Sequence, residues 1–348
     1  MKVIQIGSGG WGKGWLEFID KAEDVELVAL INHRPGSLEE AAKKFAIPQE
    51  RCFTDSAEGL GTDADLAIIT IPHKWHLEYA RKALEAGKNV LIEKPLSDSY
   101  EKVEEFLRYI TEHRFTQKVW VSQNYRFREY FWAIKERIGK PEFGRISWMN
   151  VLFRMDSNTA GAWIREGWRK AHWSTLVEEI TIHHFDVMRM LSGSEARSVA
   201  CRAYNSSWFD KPGAECISAF IEFENGAVAD YAGTLDAVGY ITDWQGEWLV
   251  QTDKGSFRLQ GERCVFETAD HTVSETALEG FFPGYDRAGV LKEIGKALAG
   301  GPCQVPTIQD NVMSYALVWA AQVSAREGRK VNLDELRPRP RESGSKMS

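Results

Sequence analysis

Short, wholly apolar segments alternate with amphipathic ones over the first 122 residues, and this alternation constrains the fold more than any other feature of the chain. The apolar segments predict strands at residues 3–6, 25–31, 65–71, 88–92 and 118–122. Strands that are apolar throughout are typical of a parallel sheet that helices cover on both faces. Because helical segments separate them, the sequence predicts a doubly wound α/β sheet.

The pattern changes after about residue 124, where longer strands are expected. They lie at residues 146–155, 198–204, 217–223, 228–235, 247–252 and 256–260. Asn225-Gly226 between two of them is a strong hairpin signal, so we expect an open, mostly antiparallel sheet. Helices are expected at residues 176–191 and 308–326.

This change of pattern divides the chain into three regions. Residues 1–123 form the predicted parallel-sheet domain, and residues 124–336 form a second α/β domain. The Pro-, Arg- and Ser-rich residues 337–348 are expected to be a disordered tail without function.

Composition excludes several classes of protein. A net charge of −7 repels phosphate backbones, so we expect no nucleic-acid partner. The five cysteines are scattered and form no C-x-x-C pair, which argues against a disulfide framework or a thiolate zinc site. We find no signal peptide and no run of about 18 apolar residues, so we expect a cytoplasmic protein without a membrane partner.

A glycine-rich turn, Gly7-Ser8-Gly9-Gly10-Trp11-Gly12, connects the first strand to the first helix. G-x-G-x-x-G alone is weak evidence, but in a strand–turn–helix unit it is typical of dinucleotide binding. Gly7 would permit the tight turn, Gly9 the approach of a pyrophosphate, and Gly12 the packing of helix on strand. The helix N-terminus would offer N–H groups and a positive dipole to the phosphates. The alternative is a turn with a purely structural role.

The residues about 20 positions after this turn bear on which dinucleotide is expected. An acidic residue normally binds the adenosine ribose there, but this chain has Asn32, followed by His33 and Arg34. Loss of the carboxylate removes repulsion toward a 2′-phosphate, and Arg34 could supply a cation for it. The expected cofactor is NAD or NADP, with NADP favoured. Asn32 could also bind a ribose hydroxyl, and Arg34 could be an ordinary surface residue.

Lys94 lies in Ile92-Glu93-Lys94-Pro95, where a strand leaves the carboxyl edge of the predicted sheet. Ligands in open α/β sheets bind at this edge. A lysine there would project toward the nicotinamide end of a bound cofactor. The alternative is a solvated loop lysine, which is the usual environment of this residue type.

The helix expected at residues 176–191 carries Glu179, His183 and Asp186 on one face, while His184 belongs to the neighbouring apolar stripe. A carboxylate beside an imidazole raises the pKa of the ring and fixes its tautomer. A histidine near neutrality suits removal of a hydroxyl proton as a hydride leaves. Glu179 and His183 could instead ligate a metal, but no third ligand is evident, so we expect no metal.

These motifs resemble those of the Gfo/Idh/MocA family, named for glucose–fructose oxidoreductase, inositol dehydrogenase and a rhizopine-catabolism protein. The matching segments lie at residues 7–12, 71–76, 86–96 and 183–186. The resemblance implies an N-terminal Rossmann domain and a C-terminal α/β domain whose open sheet often forms an oligomer interface. It also implies that Lys94 holds the reacting oxygen and that His183 acts as acid/base.

The resemblance implies further contacts. Residues expected near the cofactor, besides the glycine turn and Lys94, are Ile71, Pro72, His73, His76 and Glu93. Arg126, in a matching segment at residues 124–127, is expected near the substrate. Glu179 stands where the family often has aspartate, and Thr181 where glycine is usual. Glu179 could still orient the catalytic pair, but its longer side chain would change the pocket.

Residues 162–173 are rich in tryptophan and arginine and come just before the helix with His183. Aromatic faces stack on the C–H faces of sugars, and arginine binds hydroxyls or carboxylates. Trp163, Trp168 and Arg169 are therefore expected to line the substrate pocket, and the cations here could favour an acidic sugar. The alternative is that the tryptophans fill a core between the domains.

The expected function is an NAD(P)-dependent oxidoreductase that transfers a hydride between nicotinamide and a hydroxyl-bearing carbon of a sugar, cyclitol or related polyol. We expect a homo-oligomer, either a dimer or a tetramer. One alternative is an NAD-retaining lyase or glycoside-cleaving enzyme that uses transient oxidation. Another is a non-catalytic dinucleotide-binding regulator, which the presence of both Lys94 and His183 disfavours.

Overall fold

The computed structural model describes residues 1–157, 173–208, 214–276 and 286–336. Two sheets organise these residues, one of six strands and one of nine. The predicted α/β class, with a parallel sheet followed by a mostly antiparallel one, is confirmed.

The first sheet is parallel throughout. Its strands are β1 (Lys2–Ile6), β2 (Glu26–Ile31), β3 (Cys52–Phe53), β4 (Leu66–Ile69), β5 (Asn89–Glu93) and β6 (Val119–Ser122). They pair in the order β3-β2-β1-β4-β5-β6. The direction of the order reverses between β1 and β4, and the carboxyl ends of these two strands border a crevice where ligands bind in sheets of this kind.

Helices connect successive strands of this sheet. They are α1 (Gly10–Lys21), α2 (Pro35–Lys44), α3 (Ser56–Leu60), α4 (His76–Glu85) and α5 (Tyr100–His113). The α1 helix begins inside the glycine turn, at Gly10, rather than after Gly12 as the sequence suggested. Gly87, just after α4, has a φ of +76°, the left-handed conformation that commonly follows the end of a helix.

The second sheet has nine described strands. They are β7 (Ile146–Arg154), β8 (Ala196–Tyr204), β9 (Cys216–Phe223), β10 (Val228–Thr234), β11 (Glu247–Thr252), β12 (Gly255–Gln260), β13 (Arg263–Thr268), β14 (Val273–Glu275) and β15 (Val331–Asn332). Their order is β14-β13-β12-β11-β7-β10-β9-β8-β15, and only the β7–β10 pair is parallel among them. The hairpin predicted at Asn225-Gly226 joins β9 to β10.

The remaining helices are α6 (Glu129–Lys135), α7 (Ile182–Ser192), α8 (Arg287–Leu298) and α9 (Ile308–Glu327). A π-helical turn, Leu176–Thr181, precedes α7. The continuous α-helix expected at residues 176–191 is therefore wrong in its first part. A π turn contains more residues than an α turn, so side chains before and after it no longer share the face that α-helical spacing implies.

The α8 helix packs against the first sheet, although it follows the second sheet in sequence. Val290, Leu291 and Ile294 share a buried cluster with Trp15 and Leu66. The larger cluster of buried side chains contains residues of both sheets and of α9, so one continuous core joins the two parts. The boundary expected at residue 123 stays a prediction, and α8 belongs to the first sheet by its packing.

Gly10 and Gly12, which lie in the first turn of α1, allow a matched stability test. A Cβ on Gly12 would lie 2.4 Å from the backbone oxygen of Gly7, whereas a Cβ on Gly10 would meet nothing within 4 Å. We expect Gly12→Ala to lower the free energy of unfolding by about 1–3 kcal/mol, because backbone atoms must move. Gly10→Ala should leave it unchanged or slightly raised, since alanine favours helix. Urea unfolding of both variants measures the difference, and equal stabilities would contradict the contact.

Candidate functional site

The glycine turn has the geometry expected of a dinucleotide-binding turn at two positions. Gly7 has a φ of +103°, which L side chains rarely adopt, and Gly12 contacts the backbone of Gly7 too closely to carry a Cβ. A Cβ on Gly9 would meet nothing within 4 Å, and no side chain caps the N-terminus of α1 at Gly9. The space beside Gly9 is therefore open and the start of α1 has no side-chain cap, which leaves room for a phosphate at this helix N-terminus.

Asn32 ties the glycine turn to the end of β2. Its Nδ2 donates to Ser8 Oγ at 2.6 Å, and its Oδ1 accepts from the Arg34 backbone N–H at 3.0 Å. Ser8 Oγ in turn donates to the backbone oxygen of Ser37. His33 and Arg34 are exposed beside this contact. The three residues predicted to meet the adenosine ribose thus lie together at the edge of the turn.

The loop after β4 closes the other side of the turn. Thr70 Oγ1 donates to the backbone oxygens of Ile6 and Gly7, both at 3.0 Å. The ring nitrogens of His76 lie 2.7 Å from the Ile71 oxygen and 2.9 Å from the Pro95 oxygen. Burial lowers the pKa of His76 to about 4, so this ring is neutral at pH 7. His76 therefore joins the loops that follow β4 and β5.

Pro72 and His73 complete the predicted set in this loop. They stand at the start of a short 3₁₀ turn, His73–Trp75, and His73 is buried. Their predicted proximity to the cofactor stays a prediction, as it does for Ile71 and His76.

Glu93 connects the start of α1 to the end of β5. Its Oε1 accepts a hydrogen bond from the indole of Trp15 at 2.6 Å, and its Oε2 accepts one from the Lys94 backbone N–H at 3.2 Å. Trp15 is fully buried, and it was not among the predicted site residues. Its position one turn after Trp11, on the apolar face of α1, was the available signal.

Lys94 joins the two sheets through Glu179. Its Nζ donates to the backbone oxygen of Glu179 at 2.9 Å and lies 3.4 Å from the Glu179 carboxylate. The two side chains are 8% and 6% exposed, so this is a buried ion pair. Glu179 reaches Lys94 from the π turn, one turn before His183. The structure brings Lys94 and Glu179 together, and their joint role in catalysis stays a prediction.

His183 stacks on Tyr125 and is nearly inaccessible. The ring centroids are 4.2 Å apart with an interplanar angle of 10°, and His183 is 4% exposed. Burial first, and then nearby cations that include Lys94, Arg128 and Arg287, lower the pKa of His183 well below its ordinary value. A raised pKa was expected from neighbouring carboxylates, and that expectation is wrong. Within the described ranges, His183 Nδ1 is buried without a hydrogen-bond partner.

Asp186 does not accompany His183, because an arginine holds it elsewhere. Arg126 donates to Asp186 through Nε at 2.6 Å and through Nη2 at 2.9 Å, and it also binds Asp310. Arg189 lies beside the same carboxylates. Arg126 was predicted to contact substrate. That role stays a prediction, and two carboxylates already engage its guanidinium.

His184 is a core residue, as its apolar stripe predicted. Its Nδ1 lies 3.0 Å from the Tyr231 hydroxyl and its Nε2 3.0 Å from the Trp244 backbone oxygen. Burial lowers its pKa to about 4. Both ring nitrogens of His184 therefore have partners within the protein. Of the two adjacent histidines, His183 is the one with a ring nitrogen, Nδ1, that has no hydrogen-bond partner among the described residues.

Two arginines near His183 were missed by the sequence analysis. Arg128 lies over the ring of Tyr125, with its guanidinium carbon 4.0 Å from the ring centroid. Arg287 lies over Trp11 of the glycine turn at 4.1 Å. Neither position is marked by a motif, since each arginine reaches the site only through the tertiary packing of a different element.

Some predicted residues lie outside the described parts of the chain. Trp163, Trp168 and Arg169 lie outside the described residues, as does the tail at 337–348. In the described part of the chain, no three His, Cys, Asp or Glu side chains are grouped as metal ligands. No helix there is both long and apolar enough to cross a membrane.

The arrangement fits a dinucleotide with its phosphates at the start of α1. The open glycine turn, the exposed Asn32–Arg34 corner and the buried Lys94–Glu179 pair follow β1, β2 and β5 at one edge of the sheet. A neutral imidazole and an ammonium at this edge can accept a proton from, and donate a hydrogen bond to, a substrate hydroxyl.

Comparison with known proteins agrees with this geometry. The profile of the oxidoreductase family GFO/IDH/MocA, with an NAD-binding Rossmann fold, matches residues 1–122, and that of the GFO/IDH/MocA C-terminal domain matches residues 131–258. Inositol 2-dehydrogenase of Rhizobium meliloti (strain 1021) is 24% identical over 336 residues, covering 94% of this chain and 98% of the relative.

Solved structures share the fold over nearly the whole chain. An oxidoreductase from Agrobacterium radiobacter, in complex with NAD+, L-tartaric acid and magnesium, has a TM-score of 0.83 at 19% identity, covering 97% of this chain and 99% of that one. Scyllo-inositol dehydrogenase from Lactobacillus casei, with bound NAD(H) and scyllo-inositol, has a TM-score of 0.76 at 20% identity, covering 96% and 99%. The family predicted from the motifs is confirmed, and the chain belongs to the GFO/IDH/MocA family of NAD-binding oxidoreductases.

Proposed function

We propose that this protein is a dehydrogenase that transfers a hydride between a nicotinamide dinucleotide and a hydroxyl-bearing carbon of a sugar, cyclitol or related polyol. The observation that carries the proposal is the buried contact of Lys94 with Glu179, one turn before His183. The similarity to inositol 2-dehydrogenase along almost the whole chain supports this substrate class.

Each group has a separate task in this reaction. Lys94 has three N–H donors, of which Glu179 engages two at most, so one can hold the substrate oxygen. Burial and nearby cations keep His183 neutral, so it can accept the hydroxyl proton. A dinucleotide held at the glycine turn would supply the acceptor for the hydride of the hydroxyl-bearing carbon. The electrons of the C–H bond then leave as hydride, the O–H proton goes to His183, and a carbonyl remains.

Removing either catalytic group should abolish most of the activity. We expect Lys94→Met and His183→Gln to reduce kcat/KM for oxidation by about 10²–10⁴-fold, because each removes a proton-transfer or oxygen-holding group. Initial rates of NADH or NADPH formation across a panel of inositols and sugars measure the effect. Lys82→Met is the matched control, since Lys82 forms an exposed pair with Glu78 on α4.

The same assay distinguishes the alternative reactions. Product formation from glycosides without net change in reduced nicotinamide would identify transient oxidation instead. Activity of His183→Gln equal to that of the parent protein would overturn the assignment of the base.

We propose NADP as the preferred cofactor. The carboxylate that repels a 2′-phosphate is absent at Asn32, and no described ion pair engages the exposed Arg34. The described ion pairs between α1 and α2 join Lys13 to Glu40 and Lys44 to Glu17, and neither involves Arg34. A 2′-phosphate at the end of β2 would therefore meet a cation with no competing carboxylate bound to it.

Substitutions at this corner should change the cofactor preference. Arg34→Ser should lower kcat/KM with NADP about tenfold and leave that with NAD nearly unchanged, because only NADP carries the 2′-phosphate. Asn32→Asp should act in the same direction by adding repulsion. Lys43→Ser, an exposed cation near the end of α2, is the control. A tenfold preference of the parent protein for NAD would defeat the proposal.

We also propose that the protein is a homo-oligomer assembled through the outer face of the second sheet. Phe220 is 41% exposed on β9, and its antiparallel partner Asp230 pairs in turn with Asn150 on β7. Residues on the opposite face of these strands, such as Tyr231 and Ile221, lie in the core. The outer face therefore offers a broad, mixed polar and apolar surface, whereas the inner one is covered.

Light scattering after size exclusion tests the oligomer. We expect a dimer or tetramer for the parent protein and a smaller mass for Phe220→Asp, because a buried carboxylate would be costly in the interface. Leu298→Asp, on the exposed end of α8, should leave the mass unchanged. A monomeric parent protein would end this proposal.

We also propose a cytoplasmic location, which the five cysteines without disulfide partners support.

A further inference from the structure

Arg128 lies behind the aromatic ring that supports His183. The guanidinium carbon is 4.0 Å from the centroid of the Tyr125 ring, and the His183 ring centroid is 4.2 Å from it. Two groups this close to one ring centre must occupy opposite faces of the ring. The order of the stack is therefore Arg128, Tyr125, His183.

Residues before β11 hold this stack in place. The Tyr125 hydroxyl donates to the Trp244 backbone oxygen at 3.1 Å, and Arg128 Nη1 donates to the side-chain oxygen of Gln245. Arg128 Nη1 also donates to the Tyr130 hydroxyl at 3.1 Å. Arg128 is 9% exposed, so solvent screens its charge only weakly. These contacts hold the guanidinium against the ring of Tyr125.

The groups around His183 are unequal in charge. Lys94 approaches from the end of β5, Arg128 from behind Tyr125, and Arg287 from α8, and each disfavours a positive charge on the ring. Of the nearby carboxylates, Glu179 engages Lys94 and Asp186 engages Arg126. Among the described residues, the other titratable neighbours include the Tyr125 phenol and the His184 ring, which is neutral at pH 7. The carboxylate of Asp286 lies 3.9 Å from Arg287.

We propose that Arg128 is a positioning residue which, through the ring of Tyr125, fixes the plane of His183 and keeps it uncharged, so that the site favours accepting a proton over donating one. This inference rests on the proposed dehydrogenase function. Oxidation of an alcohol needs the neutral imidazole, whereas reduction of a carbonyl needs the imidazolium as proton donor. Because Arg128 disfavours the imidazolium, the enzyme can oxidise alcohols at lower pH than it could without this cation. For the same reason, carbonyl reduction is confined to lower pH.

The sign of each effect follows from the charge that is removed. In Arg128→Met the imidazolium loses one repulsive neighbour, so the pKa of His183 rises. Oxidation is lost as pH falls through that pKa, so its acidic limb moves to higher pH. Reduction is lost as pH rises through the same pKa, so its alkaline limb also moves to higher pH.

Rate profiles in both directions test the proposal. On the acidic limb of the parent protein, Arg128→Met should oxidise about tenfold more slowly, while at neutral pH its reduction should become severalfold faster. Arg128→Lys keeps the charge and should restore both limbs. A general loss of structure would instead lower both directions at every pH. Arg128→Gln, which retains a donor toward Gln245, is the second neutral variant should Arg128→Met unfold.

Arg81→Met is the matched control. Its guanidinium carbon lies 4.1 Å from the ring centroid of Tyr109 in the first domain, so the same kind of contact is removed away from His183. We expect its profiles to match those of the parent protein.

A titration of the cofactor-free protein separates this inference from the proposed function. The ¹³Cε1 signal of His183, assigned by its loss in His183→Gln, should titrate at higher pH in Arg128→Met than in the parent protein and in Arg128→Lys. This measurement needs no substrate, so absence of dehydrogenase activity would reject the function and leave the stack testable. Identical titrations and identical rate profiles for Arg128→Met and the parent protein would overturn the role of Arg128.

Discussion

A single buried ammonium joins the two sheets where the chemistry is proposed. Lys94 follows β5 of the first sheet, and Glu179 belongs to the π turn packed on the second. Removing one partner of a buried ion pair leaves an uncompensated charge, at a cost of about 3–5 kcal/mol. This pair therefore ties the loop after β5 to the turn that precedes His183, in addition to the core that both sheets share.

The π turn determines which carboxylate meets which cation. Regular α-helical spacing would place Glu179, His183 and Asp186 on one face. The wider turn before α7 instead directs Glu179 to Lys94, while Asp186 on α7 binds Arg126 and Ser314. His183 is left against the ring of Tyr125 with cations nearby, and its charged form is disfavoured. A neutral base is therefore a consequence of helix geometry together with burial.

The sequence predicted the parts of the site whose requirements are local. A positive φ at Gly7 and a close approach at Gly12 each exclude a side chain, so they leave a mark in the chain itself. The spacing of apolar residues did not indicate α8, so neither this helix nor its packing on the first sheet was foreseen. The family resemblance selected Arg126, whereas Arg128 is the arginine that reaches the stack. Arg126 binds Asp186 and Asp310, whereas Arg128, two positions later, lies over the ring of Tyr125.

Tertiary packing also places Arg287 against the glycine turn. A Cβ on Gly14 would lie 2.5 Å from its Nη1, so the absence of a side chain there makes the notch that receives the guanidinium over Trp11. Arg287 begins α8, whose apolar face packs on the first sheet. The start of α1 is thus held by a segment more than 250 residues away in sequence. Because one core runs through both sheets, moving the glycine turn relative to His183 would require separating packed side chains, so the two halves of the site are held in position before any ligand binds.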